Sequence, residues 1–303
     1  MTYNAADEFK PAIDGRRRHF HPNDRGLGYV CCYIAERGRG RPIVLVHDLR
    51  PTSSAFEMRP LFESLRWRRP TFALDLPGFG LSTRGEAPYS LDLFANVLGE
   101  LVRKLRGTYA SVDIVALGRG AEVAVRVASG DPSLVRSLAV IEPPGLVPAR
   151  SGGSLVSLAA RLALAVGQEA ARGLFALMAT RPMVRRAMRR RFRGTPDSAL
   201  VDYACATARL PGAHLAPMAL LAQGQPSSAE MARLYSELTV PSLVLHDARG
   251  AHAVALEAFL RGRANRFAIR VASTRGMPQF ERRADTTAAL ERFWQSLSGA
   301  AWD

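Results

Sequence analysis

The sequence predicts an α/β protein, a doubly wound and mostly parallel sheet with a helical cap inserted into it. Three observations predict this. Short, almost continuously apolar runs of strand length recur along the chain, helical periodicity fills most of the gaps between them, and one long interval carries helical pattern alone. Strands that alternate with helices in this way pair in parallel, with both faces of the sheet covered.

In chain order, residues 1–27 read as a polar, Arg-rich N-terminal segment. Residues 28–35, GYVCCYIA, read as a strand and lead into a turn, RGRGRP. The runs IVLVHD (43–48), TFALDL (71–76), VDIVAL (112–117), SLAVIE (137–142), PSLVLH (241–246) and FAIRVAS (267–273) have the composition of strands buried on both faces. Helical patterns cover 55–66, 90–106 with Ser90 as N-cap, 119–129, 253–261 and 284–297. Residues 147–235, rich in Ala, Leu, Met and Arg, contain no convincing strand and read as a cap over the sheet edge where open α/β folds bind ligands. The expected organisation is therefore an N-terminal segment 1–27, a core of 28–146 and 236–303, and a cap of 147–235.

Composition sets the outer bounds. With 303 residues, 48% of them apolar and 22% charged, the chain has material for a sizeable core, which excludes disordered, collagenous and coiled-coil classes. No apolar run is long and uninterrupted enough to cross a bilayer. The N-terminus lacks the apolar stretch of a secretory signal, so the expectation is a cytoplasmic protein. Cys31, Cys32 and Cys205 cannot form a disulfide framework or a local four-ligand zinc site, and no other metal spacing occurs; no metal or cofactor is expected. Of the 41 basic residues only Lys10 and Lys104 are lysine, and the formal net charge is +14.

The segments PIVLVHDL (42–49), ALDLPGFGLS (73–82), VDIVALGRGAEVAVRVA and IEPPGL (141–146) occur in that order. With them the chain resembles the α/β-hydrolase-fold superfamily, of the capped haloperoxidase- and esterase-like kind, from about residue 28 to 298. That resemblance implies a nucleophile elbow, G-x-S-x-G, on the turn after the strand at 112–117, followed along the chain by an acid and a histidine. Here the elbow reads Ala116, Leu117, Gly118, Arg119, Gly120, which puts Gly118 at the serine position; Ile114–Ala128 contains no Ser, Thr or Cys. The family register puts the acid at Gly250 and the histidine at Gly276, and no histidine lies beyond His252. The resemblance thus implies a triad-deficient member, a pseudohydrolase with a binding or scaffolding role. The alternatives are a non-hydrolytic enzyme (lyase, isomerase or cyclase) acting on a hydrophobic small molecule, or a hydrolase with a displaced nucleophile.

Candidate pocket and anion-binding residues are His47, Asp48, Arg119, Gly120, Glu142 and His246, all at expected strand ends or on the elbow. Asp48 stands where the family usually has glycine, and two arrangements are open for it. It pairs with Arg119 and plugs the site, or the Arg119 guanidinium and the helix N–H groups hold a ligand carboxylate or phosphate. His47 reads as structural. In the cap, Arg185, Arg186, Arg189, Arg190 and Arg193 interleave with Val184, Met188 and Phe192. That pattern fits either a solvated face above a folded apolar stripe, or a surface for an acidic protein or an anionic membrane. A hydrophobic or anionic small molecule under the cap and self-association complete the partners considered. Nucleic acid is disfavoured because no motif that reads it is present.

Overall fold

The computed structural model describes residues 9–144, 146, 153–224, 228–247 and 251–299. Its centre is an eight-stranded sheet in the order β1-β2-β4-β3-β5-β6-β7-β8. The strands are β1 (Arg16–Phe20), β2 (Val30–Ala35), β3 (Ile43–Val46), β4 (Thr71–Leu74), β5 (Val112–Leu117), β6 (Val135–Ile141), β7 (Ser242–His246) and β8 (Arg266–Arg270). β2 runs antiparallel to both its neighbours, and every other pairing from β4 onward is parallel.

The core helices are α1 (Arg59–Leu65), α2 (Leu91–Arg106) and α3 (Gly120–Gly130). The cap runs through α4 (Gly153–Val166), α5 (Gln168–Met178), α6 (Arg181–Arg189), α7 (Ser198–Thr207), α8 (Leu215–Gln223) and α9 (Ser228–Glu237). α10 (Ala251–Leu260), α11 (Pro278–Glu281) and α12 (Arg283–Gly299) are the remaining α-helices of the described residues. Ser90 caps α2 through its side chain, accepting from the Leu93 N–H at 3.1 Å.

The continuous apolar runs are explained by cores on both faces of the sheet. Val44, Val46, Ile114 and Ala116 point to the face covered by α2 and α3. Their neighbours Ile43, Leu45, Val115 and Leu117 point to the face of Phe62, Leu290 and Phe293. Successive strand side chains alternate faces, so a strand buried twice is apolar at every position.

One part of the sequence reading changes. Residues 16–20 are not only a polar lead-in, because they form β1 at the edge of the sheet, in register with β2 from Arg16↔Ile34 to Phe20↔Val30. An edge strand needs few apolar residues, and Arg16 and Arg18 project into water while Phe20 is buried.

Candidate functional site

The carboxyl ends of β3 and β5 meet beneath the cap. Between β5 and α3 the chain turns sharply at Gly118, whose φ is +52°, the left-handed region that favours glycine. Gly118 donates its N–H to the Ile141 carbonyl at 2.9 Å. A Cβ on Gly120 would lie 2.2 Å from the His47 carbonyl oxygen, so glycine lets the start of α3 approach the end of β3.

The space over Gly118 is taken by Asp48. A Cβ built on Gly118 would lie 2.5 Å from the Asp48 Cγ, so a side chain at 118 and this position of Asp48 exclude one another. The Asp48 Oδ1 accepts the backbone N–H of Leu49 at 2.8 Å and that of Arg119 at 2.8 Å. These amides belong to the residue after the elbow position and to the loop after β3, the two sources of an oxyanion hole in this fold. Both are therefore satisfied by a carboxylate of the chain itself.

Charge balance at this carboxylate comes from both sides. Arg50 Nε donates to Oδ2 at 2.8 Å, and Arg191, from the cap link between α6 and α7, approaches Oδ2 at 3.1 Å. Arg191 also donates to Glu57 Oε1 at 2.5 Å. Glu57 in turn accepts the Asp48 N–H at 3.0 Å and the Ser53 hydroxyl at 3.2 Å. Asp48 and Glu57 are fully buried and Arg191 is 6% exposed. Burial by itself would raise the Asp48 pKa; Arg50, Arg191 and the two amides outweigh it and hold the carboxyl at about 2. Burial disfavours the Arg191 cation, yet Glu57 and Asp48 more than offset it and its pKa lies above the ordinary arginine value.

The loop after β4 supports this cluster. Asp75, which burial pushes above the usual carboxylate range, accepts the N–H of Ala55 at 2.7 Å and that of Leu81 at 2.9 Å, fixing the short helical turn that carries Glu57. Gly80 is required there, since a Cβ would fall 1.9 Å from the Asp75 Cγ and its φ is +50°. His47 accepts the Leu76 N–H on Nε2 at 3.0 Å, and its Nδ1 is hydrogen-bonded to the Asp48 carbonyl. The Leu76 bond makes Nε2 the acceptor, so Nδ1 carries the proton and donates. With both ring nitrogens on backbone groups, His47 orients the loops.

The remaining candidates are distributed as follows. The Arg119 side chain turns away from Asp48, toward Glu122 at 3.3 Å and the Gly224 carbonyl at 3.3 Å, so of the two arrangements left open the Asp48–Arg119 side-chain pair is not formed, and Asp48 pairs with Arg191 and Arg50. The reason is local, because Glu122 lies one helical turn ahead on α3 and its carboxyl, raised by burial, is stabilised as an anion by Arg119. Glu142 sits at the end of β6 and accepts the Asp247 N–H at 2.8 Å. His246 ends β7, and its carbonyl accepts the Val271 N–H at 2.8 Å.

Gly276 has φ +130°, and a Cβ there would meet Arg191 backbone and side-chain atoms at 3.6–3.8 Å. Gly250 and the side chain of His252 lie outside the described residues. Arg185, Arg186, Arg189, Arg190 and Arg193 are exposed, while Val184, Met188 and Phe192 are buried. Cys31, Cys32 and Cys205 are buried and unpaired, and burial pushes the Cys32 thiol up to about 12, which leaves it inert. Among the described residues no group of His, Cys, Asp and Glu could hold a metal ion.

Sequence reasoning missed Arg191, Glu57 and Arg50. Arg191 follows Met188 by three positions, on the side of the apolar stripe that turns inward, and this was the available signal. Glu57 stands between Phe56 and Met58 at the start of the helical pattern 55–66. Nothing in sequence marks Arg50.

The sheet order, the glycine turn after β5 and the cap define the class, a mostly parallel α/β sheet with helices over the carboxyl ends of its strands. The chain belongs to the alpha/beta hydrolase family, whose profile matches residues 43–298. It is 31% identical over 131 residues to a 2-(acetamidomethylene)succinate hydrolase from Mesorhizobium japonicum, covering 43% of this chain and 46% of that protein. It is 32% identical over 111 residues to a haloalkane dehalogenase from Agrobacterium fabrum, covering 37% and 35%. The chain thus spans less than half the length of the curated relatives it matches. Among solved structures, a haloalkane dehalogenase from Bradyrhizobium elkani superposes with a TM-score of 0.72 at 17% identity, covering 94% of this chain and 99% of that one. The Cfl2 protein of Burkholderia cenocepacia gives 0.71 at 22% identity, covering 92% and 95%. At these identities the likeness concerns the fold.

Proposed function

We propose that this family member works by binding and not by hydrolysis, as a pseudohydrolase in which Gly118, Gly250 and Gly276 stand at the nucleophile, acid and base positions. The observation that carries this reading is the Asp48 carboxylate, seated over Gly118 and accepting the Leu49 and Arg119 amides. A substrate carbonyl would need those two donors for its developing oxyanion, and a fixed negative charge in their grasp opposes that charge. Arg191, beside Gly276, fills the side from which a histidine would work. It cannot serve as a base, because guanidinium keeps its proton. With the space above the elbow filled from within, the binding role falls to the outer surface of the cap and core.

The test is incubation of the full chain with short p-nitrophenyl esters and a serine-directed phosphonate. The expected outcome is turnover no faster than buffer and no covalent adduct by mass. A phosphonate adduct mapped to one residue, with ester turnover abolished by substituting that residue, would overturn the reading.

A further inference from the structure

The cap presents apolar surface in an order that inverts ordinary helix amphipathicity. α4 packs inward through Ala160, buried against Ala171, Phe175, Ala213 and Met218, with Ala163 and Leu164 half-buried beside it. Most of its large residues face water. Leu155 is 77% exposed and Val166 81%, with Leu158 and Leu162 also exposed. These four stand at i, i+3, i+7 and i+11, a single line along the helix. The only charge on α4 is Arg161, whose guanidinium folds back to the Ala222 carbonyl at 2.6 Å. Leu177 at the end of α5 and Met183 on α6 add to the exposed apolar surface, and α5 packs against both α4 and α6. Scattered exposed leucines are ordinary on a protein surface; a continuous line of them beside buried alanines is a surface made to be covered.

Charge identifies the cover. Residues 147–235 carry twelve arginines against four acidic residues. Those on α6 at 185, 186 and 189, with Arg190 just beyond it, are exposed. We propose that this face of the cap docks on an anionic lipid bilayer, with α4 lying in the interface, its Leu155–Val166 line among acyl chains and the α6 arginines on headgroup phosphates. The guanidinium fork matches phosphate, and each basic residue near an anionic leaflet adds attraction. At 14 residues α4 is about 21 Å long at 1.5 Å per residue, short of the hydrocarbon thickness, so it lies on the membrane and does not span it. No described helix is long and apolar enough to cross one. A second copy on this face would bring together two caps of the same strong positive charge, whereas an anionic bilayer satisfies the leucines and the arginines together. The proposal is independent of what the elbow does.

The test is co-sedimentation of the full chain with vesicles of phosphatidylcholine, alone or mixed with phosphatidylglycerol, at low and high salt, with light scattering of the free protein. Wild type is expected to bind the anionic vesicles, less so at high salt, and to be monomeric when free. The charge-neutral pair Leu158→Ser/Leu162→Ser is expected to cut partitioning about tenfold or more with its helical circular dichroism retained. Arg185→Gln/Arg186→Gln is expected to reduce partitioning and flatten its salt dependence. Three results would overturn the proposal: no partition into anionic vesicles, partition unchanged by the leucine pair, or a solution dimer that the leucine pair dissociates. None of these readouts involves ester turnover, so a failure here leaves the reading of the elbow standing.

Discussion

Asp48 is the residue on which the site turns. Its carboxyl falls from the ordinary 3.8 to about 2 because two arginines and two amides favour the anion more than burial opposes it. A depressed carboxyl pKa contributes stability that is complete above the unfolded value and is lost as pH falls from there through the folded one. The window for Asp48 therefore runs from about pH 4 down to about pH 2, and a shift of this size corresponds to roughly 2 kcal/mol. Asp75 and Glu122, raised by burial, act with the opposite sign: their cost to the fold diminishes as they protonate. Urea unfolding across this range should show Asp48→Asn less stable than wild type at neutral pH and with a flatter acid limb. An identical acid limb in both proteins would show that Asp48 titrates normally.

At the scale of the element, the strand-turn-helix around Gly118 accepts either a side chain at 118 or Asp48 in its present place. Gly118→Ser alone adds a Cβ 2.5 Å from the Asp48 Cγ at a positive φ, and should cost about 2–3 kcal/mol without creating activity. Asp48→Gly opens the space, so the same serine should cost less in that background. A double-mutant cycle by denaturant unfolding should give a favourable coupling of about 1–2 kcal/mol between the two changes. Additive costs would mean that Asp48 moves aside freely. On the proposed assignment of the triad positions, Gly118→Ser/Gly250→Asp/Gly276→His is expected to turn over no ester while Asp48 and Arg191 remain.

At the scale of the molecule, Arg191 ties cap to core, because its guanidinium leaves the α6–α7 link to meet Asp48 on the loop after β3 and Glu57 on the following turn. Replacing a buried pair by apolar residues can be neutral, but removing one partner strands the other charge. Arg191→Met should therefore destabilise by about 3–5 kcal/mol. It should also speed hydrogen exchange in α6, α7 and residues 48–58 while the β3–β7 strands keep their protection. Uniform loss of protection across the sheet would argue against a tether acting at the cap.

The mostly parallel sheet and the helical cap were legible because they rest on local signals, namely apolar runs of strand length, helical periodicity and the order of motifs; the order of the strands in the sheet came only from the structure. β1 was not, since an edge strand with its arginines in water carries no apolar run. The exposed line on α4 was also missed: a helix that buries alanine and exposes leucine has an apolar pattern on both sides, and periodicity does not say which side faces out. The side-chain pair Asp48–Arg119, one of the two arrangements the sequence left open, rested on the resemblance that sets both residues beside the elbow; in the structure Glu122 on the next turn claims that guanidinium.

The sequence by itself determined the scaffold, the cap insertion and the absence of a side chain on the elbow, because each follows from residues within one or two turns of each other. Only the tertiary structure decided what fills the elbow. Arg191 and Glu57 are 134 residues apart, and nothing local couples them. They meet because the cap folds over the strand ends, where a buried carboxylate must find donors and countercharge wherever the fold brings them.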